Sequence, residues 1–146
     1  MKKKILLGFL AILVIMQFFR IDMDNPPVDP AKDFIALTEP SDEVKTLLKS
    51  ACYDCHSNET EYPWYAHVAP VSWPIGHHIE EGREHLNFSI WADYDADKAD
   101  HKLEECAGEV EEGHMPISSY TWTHGDAKLS KEQKETLEEF FEGLRK

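Results

Sequence analysis

Ser41-Asp42-Glu43-Val44-Lys45-Thr46-Leu47-Leu48-Lys49-Ser50-Ala51 runs straight into Cys52-Tyr53-Asp54-Cys55-His56, and the rest of the chain is organised around this stretch. A serine ahead of two carboxylates is a helix start: its hydroxyl takes up a free backbone N–H, and the acids suit the positive end of the helix. Val44, Leu47, Leu48 and Ala51 then fall at i, i+3, i+4 and i+7, one apolar stripe facing a core. The spacing predicts a helix over 41–51 that ends at the cysteine motif.

Further helices are expected on either side of long polar loops. One runs from Ile75 to Leu86 behind Pro74, and another from Asp97 to Glu112 with Leu103, Cys106, Ala107 and Val110 on one face and Gly113 closing it. The last is the clearest, since Ser130 and Gln133 form a capping box ahead of Leu137, Phe140, Phe141 and Leu144. No strand-like alternation of useful length and no repeat is present. Residues 41–146 are therefore expected to form one all-α domain of about four helices joined by Pro- and Trp-rich loops. Residues 22–40, with Pro26, Pro27, Pro30 and Pro40, suit an extended spacer.

Ahead of the spacer, Lys2-Lys3-Lys4 precede an apolar run from Ile5 to Phe19 that is broken only by Gln17 and followed by Arg20. No pair of small residues stands where a signal peptidase would cut, so residues 1–21 are expected to be a retained N-terminal membrane helix. The three lysines would stay in the cytoplasm, placing the domain on the outer, periplasmic side of the cytoplasmic membrane.

Net charge is −13, and all 28 acidic residues lie after Arg20. Four of the 15 basic residues lie within the first twenty, so 11 face those 28 acids in the remainder, a net −17. Such a surface excludes nucleic acid as a partner, because neutralising phosphates needs Lys and Arg. It suits a protein partner with a basic docking patch, or simply keeps a small domain in solution.

The chemistry lies in the motif. Cys52 and Cys55 stand about one helical turn apart, where both thiols can add to the two vinyl groups of a haem, and His56 follows directly as a ligand for the iron. A thioredoxin-like thiol pair and half of a zinc site share this spacing. The first wants a βαβ context and the second two more ligands in a similar pair, and neither is present. One covalent haem c is the expectation. A sixth ligand is best offered by Met115 in Gly113-His114-Met115-Pro116, with His114 beside it as a rival. Pro70 resembles the proline of small class I cytochromes whose carbonyl accepts the Nδ1 proton of the axial histidine, or else it merely ends a loop. Tyr62, Trp64, Tyr65 and Trp73 are candidate haem walls, one of His77 and His78 is a candidate to face inward, and Cys106 reads as a buried, inert thiol.

These residues together carry a resemblance. Asn25-Pro26-Pro27, Tyr62-Pro63-Trp64-Tyr65, Ala69-Pro70-Val71-Ser72-Trp73, His77-His78, Glu81-Gly82-Arg83, Leu86-Asn87-Phe88-Ser89, Met115-Pro116 and Leu129-Ser130 resemble the bacterial haem-binding domain family of membrane-anchored c-type cytochromes. More widely, the chain is similar to a small class I cytochrome c. The resemblance implies covalent haem on Cys52 and Cys55, iron held by His56 and Met115, and an exported location. Single-electron transfer to redox partner proteins, with no catalytic residue, is the function expected. A small peroxidase or a haem-based redox or gas sensor is the alternative, and either would need a labile sixth position.

Overall fold

The structure is a computed structural model that describes residues 2–145, and among these every regular element is helical. Eight α-helices follow in order: α1 Lys2–Met16, α2 Phe34–Thr38, α3 Asp42–Ala51, α4 Tyr53–His56, α5 Ser72–His85, α6 Ala96–Glu112, α7 Ser118–Thr121 and α8 Lys131–Leu144. Short 3-10 turns cover Trp64–His67, Phe88–Asp93 and Gly125–Ala127. The four helices expected from periodicity correspond to α3, α5, α6 and α8.

Their ends obey the local chemistry. The Ser41 hydroxyl accepts from Val44 N at 3.3 Å. Ser130 and Gln133 make the reciprocal capping box. Gly113 takes φ +77°, the left-handed conformation that stops α6. α5 starts three residues earlier than expected, because Pro74 sits in its first turn, where a missing N–H costs nothing.

α6 and α8 lie side by side, and α3 packs against α8 to complete a core with Leu47, Leu48, Leu103, Val110, Leu137 and Phe141. Phe34 of α2 is wholly buried among Phe88, Trp91, Phe140 and Phe141, its ring 4.6 Å from Trp91 and 4.9 Å from Phe88. Residues 22–40, expected as an extended spacer, send a core residue, Phe34, into the domain. Asn25 and Pro27 are also tied to it, through Asn25 Nδ2 to Thr60 O at 2.9 Å and Asn58 Nδ2 to Pro27 O at 3.2 Å.

Asp33 caps α2 by accepting from Ile35 N and Ala36 N, and its other oxygen accepts from the Tyr53 hydroxyl at 3.0 Å. Tyr53→Phe removes a buried hydrogen bond to a carboxylate, so a loss of about 1.5–3 kcal/mol is expected. Urea unfolding checks it: the midpoint should fall with the slope unchanged.

The N-terminal membrane helix is not supported. α1 has 15 residues and ends at Met16, and among the described residues no helix is long and apolar enough to cross a membrane. A helix of that length rises about 22 Å, short of the roughly 30 Å hydrocarbon layer. The apolar run stops being helical where Gln17 turns back onto the domain. Its Nε2 donates to Ala69 O at 2.8 Å and its Oε1 accepts from Ala69 N at 3.0 Å. Trp73 Nε1 donates to Phe19 O at 2.7 Å. The single-anchor placement inferred from that segment falls with it.

Candidate functional site

α4 is one turn long and carries the motif, and the two residues between the cysteines, Tyr53 and Asp54, serve as anchors. Tyr53 points into the core and stacks on Phe88 at 5.3 Å with planes 7° apart. Asp54 points the other way: its Oδ2 accepts from the Tyr120 hydroxyl at 2.7 Å, its Oδ1 from Glu61 N at 2.9 Å, and its carbonyl from Thr60 Oγ1 at 2.6 Å. With both neighbours held, Cys52 and Cys55 are left to face a common cavity. Both are free thiols.

His56 is oriented by α5. Its Nδ1 lies 2.9 Å from Gly82 O and 3.2 Å from Leu86 O, two carbonyls that only accept, so Nδ1 carries the ring proton and Nε2 is the free nitrogen. Burial holds the imidazole below its ordinary pKa, outweighing the two carbonyls, and favours the neutral ligand form. α5 comes this close because residue 82 is glycine. A Cβ there would stand 2.6 Å from Cys55 O and 3.1 Å from Cys55 Cβ. Arg83 secures the loop after the motif, with Nε donating to Ser57 O at 2.7 Å and Nη2 to Asn25 Oδ1 and Thr60 Oγ1 at 2.7 and 2.9 Å.

The cavity measures about 440 Å³ and has mainly apolar walls. Ala51, Cys52, Cys55 and His56 form one side, Gly82, Leu86 and Phe88 another, and Cys106 and Val110 of α6 a third; Met115, Pro116, Ile117 and Tyr120 close it. Met115 is held at the end of α6 by its N–H donating to Glu109 O at 3.1 Å. His114, its sequence rival, turns outward toward Glu112 at 3.2 Å and Glu109 at 3.5 Å and does not line the cavity.

Burial pushes the Cys52 thiol up to about 12 and the Cys55 thiol up to about 11, so both are neutral at physiological pH. A thioredoxin-type pair needs the reverse shift. Among the described residues no three His, Cys, Asp or Glu side chains converge as a metal-binding group, which leaves the zinc alternative without a ligand set.

A family model described as "Haem-binding domain" matches residues 11–143. The chain belongs to the haem-binding domain family. No curated protein and no solved structure matches it significantly. The cavity suits the group that the haem-binding domain takes: its volume lies within the roughly 300–1,000 Å³ of cofactor sites. It presents two thiols, one unprotonated imidazole nitrogen and one thioether, donors suited to a porphyrin edge and its iron.

Three expectations change. The His56 proton goes to Gly82 and Leu86 rather than to Pro70, because α5 passes directly over the motif. Tyr62, Trp64, Tyr65 and Trp73 do not line the cavity; Phe88, Tyr120 and Phe141 do. Trp64 is 78% exposed, its chain segment being carried away from the motif by the 3-10 turn Trp64–His67. Cys106 lies on the apolar face of α6 as expected, yet that face is a cavity wall, where burial raises its thiol pKa as well. His78 lines the cavity while His77 sits 3.3 Å from Glu81 at the surface.

Gly82, Asp54, Tyr120, Arg83 and Lys102 contribute to the site without a role having been expected of them. Glu81-Gly82-Arg83 offered a signal, a glycine inside a helical pattern, although Gly108 within α6 shares it and approaches nothing.

Proposed function

We propose that this domain holds its haem c covalently, by thioethers from Cys52 and Cys55, with His56 Nε2 and Met115 Sδ on the iron, and that it carries single electrons. The carrying observation is that these four side chains, separated by up to 63 positions in sequence, line one cavity. Each thiol adds its S–H across one vinyl double bond, sulfur to one carbon and hydrogen to the other, a step that consumes no oxidant. When bound, the haem supplies a one-electron Fe(III)/Fe(II) couple.

The protein groups around it do the tuning. Gly82 and Leu86 carbonyls keep the imidazole in one tautomer and orientation. A thioether from Met115 favours Fe(II) and raises the potential relative to a second imidazole. The apolar walls exclude water. Neutral thiols before attachment resist premature disulfide formation, since the thiolate is the reactive form. With acidic residues outnumbering basic ones 28 to 15, the surface favours a redox partner with a basic docking patch and an association that slows with salt.

Met115→Ala tests the carrier assignment. The oxidised haem-loaded protein should show the weak far-red charge-transfer band of thioether-ligated low-spin iron, and the variant should lose it. Its potential should fall, and carbon monoxide binding and peroxide turnover should appear. His114→Ala should leave the band in place. An unmutated protein that lacks the band, binds carbon monoxide readily and turns over peroxide would be a peroxidase or sensor instead of a carrier.

A further inference from the structure

Besides the ligand donors, the cavity holds charged groups that the function above does not use. Among the described residues, Lys102 is the only Lys or Arg lining it. Its side chain is just 14% exposed, although its i+3 neighbour Glu105, 2.6 Å away, is 47% exposed. A lysine on a surface helix would ordinarily run its ammonium into water. Here the stem is folded over the cavity. His85, one turn beyond Gly82 on α5, lines the same wall. Lys102 first, then His101 and His85, lower the pKa of the Glu105 carboxyl, so basic side chains from α5 and α6 face one carboxylate at the rim. Apart from the cysteines, His56 and Tyr120, the other charged or titratable side chains lining the cavity are His78 and Glu81 on α5 and Glu109 on α6.

We infer that Lys102, assisted by His85, is the binding site for a haem propionate. This rests on the haem reading of the cavity and names which of its residues receives the ligand's acidic edge. A haem is an apolar disc with two carboxylates, and a largely apolar cavity of this kind must offer those carboxylates a cation or leave them in water. Lys102 supplies the charge, and its ammonium, with three donors, can keep Glu105 while taking a second oxygen. Glu105 then acts as a positioning residue, holding the lysine at the rim before the ligand arrives.

The test uses the full chain matured with haem labelled with carbon-13 at the propionate carboxyls, followed by NMR across pH. In the unmutated protein one propionate should titrate below the other and show a proton–proton contact to the ε-methylene of Lys102. Lys102→Gln should raise the proton affinity of that propionate about tenfold or more, the usual effect of removing an adjacent opposite charge. Lys102→Arg should keep it low. Two propionates that titrate alike in the unmutated protein, with no contact to Lys102, overturn the assignment, a result that needs no variant to fold. A chain that takes up no haem at all overturns the haem reading itself, and the two failures are told apart by the absorption spectrum.

Discussion

Cys52→Ala combined with Cys55→Ala is expected to abolish haem retention on denaturing electrophoresis and in acid-acetone extraction, while each single variant keeps the haem through one thioether. Unfolding removes the axial ligands, so only a covalent bond survives it. The structural cost should be small: alanine keeps the Cβ of each residue, and the motif is held by Tyr53 on Asp33 and Phe88 and by Asp54 on Tyr120 rather than by the thiols. A folded double variant can still take haem reversibly through His56 and Met115. Cys106→Ala is the control, because Cys106 lines the same cavity and is the remaining thiol of the three. It should retain haem in full. Free extraction of haem from the unmutated chain would sink the covalent assignment, and retention by the double variant would transfer it to Cys106.

Gly82→Ala should be the most damaging single methyl in the protein. In a helix interior, glycine to alanine normally gains about 0.5–1 kcal/mol. Gly108 in α6 has nothing within 4 Å of an added Cβ, so Gly108→Ala should show that gain as a higher melting temperature. At residue 82 the new methyl meets Cys55 O at 2.6 Å, a backbone atom that cannot swing away. α5 and α4 must separate, at a cost of about 1–3 kcal/mol that overrides the helical gain. The movement also draws Gly82 O off His56 Nδ1. A lower melting temperature should therefore come with a weakened or heterogeneous low-spin haem spectrum. Equal stabilisation in the two alanine variants would show that α5 does not need the glycine.

The elements legible in the sequence were those whose cause is local. Ser41 and the stripe through Val44, Leu47, Leu48 and Ala51 define α3, and the box at Ser130 and Gln133 defines α8; each depends on groups within a turn or two of one another. The motif was legible for the same reason, since its chemistry is written in adjacent residues. Apolar content alone misled at the N-terminus. Hydropathy measures what a segment would gain in lipid, but it does not register the two hydrogen bonds by which Gln17 grips Ala69, 52 positions away.

The sequence alone settled an all-helical chain carrying a Cys-x-x-Cys-His motif, because capping, periodicity and thiol spacing are short-range properties. Only tertiary structure could choose the proton acceptor of His56, turn Met115 inward and His114 outward, replace Trp64 and Trp73 by Phe88 and Tyr120 as cavity walls, and fold Lys102 over the rim. The first of those choices depends on how closely α5 approaches α4, a distance set by the missing side chain at Gly82; the others depend on contacts between segments that no local pattern encodes.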